Sequence, residues 1–179
     1  MGKNKKKQTY PLSVIDFSPQ GHGLAYLENK EGSFTPVEIK HSVPGDEANV
    51  QLLRKKKKIL QTWIEEFTKL SKDRIPSKCS HFSNCGGCKW QQIPYATQLK
   101  IKEERLLKLY EDLSPKWLGL TPCESPWPYR NKMEFTFSQN KAGEHFLGLH
   151  MTAGRVLNLE ECAISPSWFT KALETIRTW

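Results

Sequence analysis

Three thiols fall within ten residues at Cys79, Cys85 and Cys88, spaced Cys-x5-Cys-x2-Cys, with Gly86 and Gly87 between the last two. Paired glycines let a backbone fold tightly around something small, and cysteines this close in a reducing compartment are metal-binding or catalytic more often than disulfide-bonded. The total of five is odd, which argues further against disulfides. A fourth thiol, Cys162, lies 74 residues beyond Cys88, so a site using all four would tie together the ends of the second half of the chain. Structural zinc usually takes its ligands as two close pairs. Several thiolates from one loop with one from afar is familiar around cubane clusters. Spacing alone leaves zinc and an iron–sulfur cluster both open.

Other reactive side chains carry less. His81, inside the thiol loop, reads as a surface residue, and Cys123, between Pro122 and Glu124, has no neighbouring base or cation to make it a nucleophile. No residue is assigned a catalytic role. Phe82 and Trp90 are expected to pack over the thiol site rather than to stack on bases.

Cations form the second constellation. The net charge is +8, which suits a polyanionic partner, since Lys and Arg that neutralise phosphates release counterions and so drive binding. RNA, DNA and an anionic membrane all satisfy charge alone. The run Arg54, Lys55, Lys56, Lys57, Lys58 is either a solvated loop or a phosphate contact. Arg130 and Lys132 sit in a segment where charged residues alternate with Met133, Phe135 and Phe137, and two cations on one face of a strand could grip RNA.

The elements that must hold these residues read as two modules. Residues 1–8 are too polar to pack and form a basic tail. Short strands are expected over 11–17, 23–27, 34–39 and 48–53, broken by turn residues such as Val43-Pro44-Gly45-Asp46, the spacing of a small all-β barrel. In 59–70, Ile59, Leu60, Trp63, Ile64, Phe67 and Leu70 fit a helical stripe, and periodicity alone favours a helix, although Trp63, Glu65 and Phe67 could line alternate positions of a closing strand. The linker follows at 71–76.

Past the thiols, Pro94 opens a helix carrying Leu99, Leu106, Tyr110 and Leu113, to end before Pro115. The clearest strand spans 130–138, strands return over 145–150 and 155–159, and Ser165-Pro166 starts a helix with Phe169, Leu173 and Ile176 on one face. No apolar run is long enough for a membrane span, and no signal-peptide core follows the basic tail. The expectation is a cytoplasmic protein.

Taken together, Cys79-x5-Cys85-Gly86-Gly87-Cys88, Trp90-Gln91-Gln92, Tyr95, Gln98-Leu99-Lys100, Tyr129-Arg130-Asn131-Lys132-Met133-Glu134-Phe135 and Cys162 resemble the RNA uracil-5-methyltransferases that modify 23S ribosomal RNA. Gly21-His22-Gly23, Val43-Pro44-Gly45-Asp46 and Asp73-Arg74-Ile75-Pro76 resemble that family's N-terminal TRAM domain, an RNA-binding OB-type β-barrel. The likeness covers nearly the whole chain from about Tyr10.

The resemblance implies a mainly β chain in which residues 9–73 form the barrel and 74–179 an α+β cluster-binding domain. It implies a [4Fe-4S] cluster on Cys79, Cys85, Cys88 and Cys162, and a strand, not a helix, over 59–70 to close the barrel. It implies RNA, 23S rRNA in particular, as partner of Arg130, Lys132 and the run 54–58, with no membrane and a monomeric state.

Family members attack C6 of a flipped uridine with a cysteine and methylate C5 from S-adenosylmethionine, flipping being needed to reach a stacked base. This sequence has no Gly-rich strand-to-helix turn for the methyl donor and no family-type nucleophile. The resemblance therefore implies the N-terminal portion of such an enzyme, an expressed fragment that is inactive by itself, with the methyl donor bound only by the full-length parent. The runner-up is a non-catalytic RNA-binding protein with a zinc-stapled second domain. A radical methylthiotransferase would need Cys-x3-Cys-x2-Cys, which this chain lacks.

Overall fold

The computed structural model describes residues 8–56, 58–113, 116–151 and 154–178. Most of the basic tail, Lys57 and Trp179 lie outside the described residues. The chain divides into two units, Met1–Ile75 and Pro76–Trp179.

The first unit is one six-stranded sheet built from β1 (Thr9–Ser13), β2 (Asp16–Phe17), β3 (Gly23–Glu28), β4 (Phe34–Ile39), β5 (Glu47–Lys56) and β6 (Ile59–Lys69). Its order is β1-β5-β6-β4-β3-β2, antiparallel except where β4 runs parallel to β6. The single strand expected over 11–17 is broken, because the chain changes partner between Val14 and Ile15. The Val14 amide donates to Asp46 (2.9 Å), on the β5 side, whereas the Ile15 amide donates to Leu24 (2.9 Å) of β3. β1 and β2 therefore occupy opposite edges of the sheet while only two residues apart in sequence, and the sheet must curl to allow it. A hydrogen-bonded ladder closing that curl into a barrel is not found among the described residues.

Leu12, Val14, Ala25, Val37, Ile39, Ala48 and Val50 form the core, with Leu60, Ile64 and Phe67 of β6 packed against it. Ile59–Lys69 is a strand, as the resemblance implies for 59–70, and the β5–β6 register explains the helical stripe. Val50 pairs with Ile64 but Asn49 pairs with Glu66, so Glu65 is an extra residue that resets the alternation. Leu60, Ile64 and Phe67 thus reach one face at spacings of four and three, and Trp63 is left 63% exposed on the other.

The turn before β5 needs Gly45 at φ 89°, a conformation costly for any residue with a Cβ. Asp46, wholly buried, accepts the amides of Val43 (2.7 Å) and Ser71 (2.8 Å). It also takes both prongs of the Arg74 guanidinium, Nε at 2.8 Å and Nη2 at 2.6 Å. Arg74 bonds the His41 carbonyl as well (2.8 Å), which fastens the segment after β6 to the turns before β5.

Burial, then the charges of His22, Lys40 and Arg74, lowers the His41 pKa from 6.5 to about 4. A base with a depressed folded pKa is neutral in the native state while the unfolded chain already takes up protons. Stability from His41 is therefore complete above about pH 6.5 and falls as pH drops toward about 4. Thermal melts across that window should show the loss, and His41→Asn, which tolerates the left-handed φ of 55° there, should flatten it. An unchanged pH profile in that variant would remove His41 as the cause.

The second unit contains α1 (Tyr95–Leu109), a 3-10 turn at Glu111–Leu113, β7 (Thr136–Gln139), β8 (His145–His150), β9 (Val156–Asn158) and α2 (Trp168–Thr178). The strands form one antiparallel sheet in the order β7-β8-β9. Leu147, Leu159, Ile164, Phe169 and Leu173 are its buried apolar residues. Arg177 caps the α2 contact by donating to the carbonyls of Leu147 (3.1 Å) and Leu159 and to Asn158 (2.8 Å).

The strand expected over 130–138 is confined to Thr136–Gln139. Alternation over 130–135 is not matched by pairing: the β7–β8 ladder begins at Thr136↔Gly148, although β8 itself runs on to His150. The amides of Tyr129 (3.1 Å) and Arg130 (2.8 Å) instead share the Ile164 carbonyl. Phe137, expected inward with Met133 and Phe135, is 67% exposed. The α1 stripe is also corrected: Tyr110 and Leu113 lie beyond the helix and are exposed, and α1 buries no residue fully. No described helix is long and apolar enough to cross a membrane.

Candidate cysteine site and its cationic groove

The thiol loop is held by its own backbone. The Phe82 amide donates to Cys79 (3.2 Å), and those of Asn84 (3.0 Å) and Cys85 (2.7 Å) both donate to His81. The Gly87 amide then points at the Cys85 sulfur (3.4 Å). A Cβ at Gly87 would stand 3.4 Å from that sulfur and 4.0 Å from an Arg130 Nη, so glycine keeps the space between thiol and guanidinium open.

Two side-chain contacts bring the distant thiol to this loop. The Ser80 hydroxyl donates to the Glu161 carboxylate (3.3 Å), and the Glu160 amide donates to His81 Nε2 (3.2 Å). His81 therefore acts as an acceptor that fixes the segment entering Cys162, a role its sequence position gives no sign of. An isolated bridge pairs Cys85 with Met151, just past β8.

The four thiols come near enough to act on one another's ionisation. Burial raises the Cys85 pKa, as do the neighbouring thiols of Cys79 and Cys162, against the Gly87 amide and the Arg130 charge. Burial likewise raises Cys88, and it feels Cys162, Cys85 and Cys79, while a hydrogen bond from Gln91 pulls the other way. Cys79 and Cys85 are buried, and Cys88 and Cys162 partly so. Among the described residues, no three His, Cys, Asp or Glu side chains are grouped so that they could hold a metal ion. In ligand type the set suits a four-thiolate group: four soft donors, two of them buried and two partly so, with the Gly87 amide hydrogen-bonded to the Cys85 sulfur.

Gln91 is the residue that sequence reasoning missed. It is buried, accepts the Cys79 amide (3.1 Å) through Oε1 and bonds the Cys88 thiol, so it spans the loop. Phe82 is buried, in keeping with packing, and Trp90 carries the Arg105 guanidinium 5.7 Å from its ring centre. Cys123 is exposed and removed from this cluster: its amide donates to Tyr95 Oη (2.8 Å) and its thiol to the Ser125 carbonyl (3.2 Å).

Arg130 and Lys132 are exposed and lie beside the thiol loop, in an open groove of about 370 Å³ lined also by Gly86, Gly87, Glu134 and His150. Arg130 Nε donates to the Lys132 carbonyl (3.2 Å), and Lys132 pairs with Glu134 at 2.8 Å. That exposed ion pair is weak and easily exchanged for another anion. The other predicted cations are in the first unit: Arg54, Lys55 and Lys56 end β5 and Lys58 begins the return, all exposed, with Lys57 outside the described residues.

No protein-family model matches the chain. Among curated proteins, an uncharacterized RNA methyltransferase of Protochlamydia amoebophila is 43% identical over 148 residues, 80% of this chain and 33% of that protein. One from Caldanaerobacter subterraneus is 35% identical over 170 residues, 92% of this chain and 36% of its own length. One from Thermotoga maritima is 32% identical over 160 residues, 88% and 34% respectively. The chain thus spans about a third of the length of the curated relatives it matches. Among solved structures, the Pyrococcus abyssi tRNA (uracil-54, C5)-methyltransferase in complex with S-adenosyl-L-homocysteine aligns with a TM-score of 0.69 at 20% identity, covering 93% of this chain and 36% of that one. That likeness is one of fold.

Proposed function

We propose that the chain, similar over the stretch it spans to curated RNA methyltransferases, is the RNA-recognition and cluster-binding part of a SAM-dependent uracil-5-methyltransferase acting on 23S rRNA. The observation that carries this reading is the thiol loop beside the groove of Arg130 and Lys132, with Gly87 set between the Cys85 sulfur and Arg130 and with Cys162 near enough to act on Cys85 and Cys88. Cys79, Cys85, Cys88 and Cys162 would hold a [4Fe-4S] cluster, which supplies a covalent tie between the loop and the Cys162 segment when bound. Arg130 and Lys132 take RNA phosphates, and the glycines keep the groove floor low enough for a backbone to approach.

In this reading the first unit is the TRAM-type RNA-binding module and Arg54, Lys55, Lys56, Lys57 and Lys58 are further phosphate contacts. In this reading the chain serves recognition, and no residue of it is placed as nucleophile or base for methyl transfer. It is a monomer of the cytoplasm.

Metal analysis of anaerobically purified protein, paired with RNA binding, tests this. Wild-type protein should carry about four irons per chain and be brown. Cys162→Ser should lose iron and bind a transcribed 23S rRNA fragment roughly tenfold more weakly, the worth of about one charge-assisted contact. Stoichiometric zinc in colourless protein would replace the cluster reading with a zinc-stapled RNA-binding module. Full RNA affinity in an iron-free variant would separate the thiol site from recognition.

A further inference from the structure

Trp63 is 63% exposed in the middle of β6, between two register shifts of the β5–β6 ladder, an unusual place for the largest apolar side chain. Its register partner Gln51 shares its face, and two residues beyond Gln51 on β5 comes Leu53, 56% exposed. Two residues from Trp63 along β6 is Gln61, which accepts a hydrogen bond from Arg54 Nε (3.3 Å) and pairs in register with Glu38 of β4. Arg54 thus lies on the Trp63 face of the sheet, one strand step away.

Lys56, whose register partner Ile59 lies two residues before Gln61, and Lys40, two residues beyond Glu38, join it. Lys40 is held below the ordinary lysine range by burial and, against the pull of Glu38, by the charges of Arg54 and Lys56. Three cations therefore crowd a patch with one carboxylate, an arrangement that an incoming anion relieves. The opposite end of β6 differs. There Glu65 is held by Thr9 (2.6 Å) and Gln51, and Glu66 by Asn49 (2.7 Å), so the acids are engaged and the charge gradient runs from Trp63 toward the β5–β6 turn.

We infer that this face is a binding track for unpaired RNA, with Trp63 stacking on a base and Lys40, Arg54 and Lys56 holding the phosphates beside it. The inference rests on the RNA reading above and adds a base-contacting residue and a strandedness to it. An exposed indole beside cations suits single strands, where every base offers a π-face, and not duplexes, whose bases are already stacked. The indole distinguishes this track from a merely basic surface, which would bind either form.

The test is fluorescence anisotropy with the full chain and a labelled oligouridylate, repeated with a labelled RNA duplex and across a salt series. Trp63→Ala should weaken oligouridylate binding by between about fivefold and a hundredfold, with Trp63→Phe retaining most of the affinity. The salt slope should stay at its wild-type value in Trp63→Ala but fall by about 0.7 in Arg54→Gln. Because Trp63 is exposed, the variants should melt with wild type, which separates lost stacking from lost fold.

Wild-type affinity in Trp63→Ala would overturn the inference while leaving the RNA reading standing. An equal loss on duplex RNA, or a fallen salt slope in Trp63→Ala, would also overturn it. Failure of wild-type protein to bind either RNA at low salt would overturn the RNA reading itself.

Discussion

Gly148→Ala is expected to destabilise the second unit by about 3 kcal/mol or more, the upper end of what overpacking costs. Gly148 is buried in β8 between Thr136 of β7 and Asn158 of β9. A Cβ there would be driven into the carbonyl of Leu157, with Val156 Cγ1 only 3.2 Å away. The obstacle is backbone, so no rotamer change relieves it and the β8–β9 ladder must part. The damage should extend to the site, since Leu149 and His150 of β8 line the groove and Met151 carries the bridge to Cys85. Hydrogen exchange at β8 and β9 amides should rise sharply, and a calorimetric transition should fall by about 12 °C or more. A melt within about 2 °C of wild type would show that β9 moves aside freely.

Asp46→Ala should cost the first unit about 3–5 kcal/mol, the range for breaking a buried ion pair from one side. The substitution strands a guanidinium whose side chain is only 17% exposed and takes the acceptor from two backbone amides, Val43 and Ser71. Part of this is the orphaned charge, so Arg74→Met in the Asp46→Ala background should recover some stability, which a double-mutant cycle by urea titration reads directly. A single-variant loss below about 1 kcal/mol would mean that water solvates Arg74 in place of the carboxylate.

These two positions also mark where sequence reading stops. Strand limits were legible where alternation and turn residues agree, as for Phe34–Ile39 and for the turn Val43-Pro44-Gly45-Asp46. The β6 stripe misleads because the extra residue at Glu65 gives a strand the spacing of a helix, and only the family likeness turned the reading toward a strand. Over 130–135 alternation is real, yet a strand also needs a neighbour, and no local pattern reports one. Asp46 and Arg74 are 28 residues apart, in two separate segments of the TRAM likeness, and neither segment shows by itself that its charge pairs with the other's.

At the site, the close spacing of Cys79, Cys85 and Cys88 is plain in the sequence, and the geometry adds what spacing lacks. Cys162 is delivered by His81 and Ser80, and Gln91 spans Cys79 and Cys88. These are contacts of ordinary polar residues, whose types advertise nothing. Arg130 and Lys132 reach the groove from irregular backbone, so their placement depends on the Ile164 carbonyl that holds Tyr129 and Arg130 rather than on the pleat of a sheet.

The change of partner at Val14 and Ile15 sets an order of events for the growing chain. Thr9 pairs with Gln51, and Asp16 pairs with Leu24. The short β2–β3 hairpin can therefore form as soon as it is made, whereas β1, synthesised first, has no partner until β5 exists. Such late, long-range pairings pay loop-closure entropy before any contact rewards it. β1 leaves the ribosome well before its partner β5 and docks late, and over that interval its open edge is available to other chains.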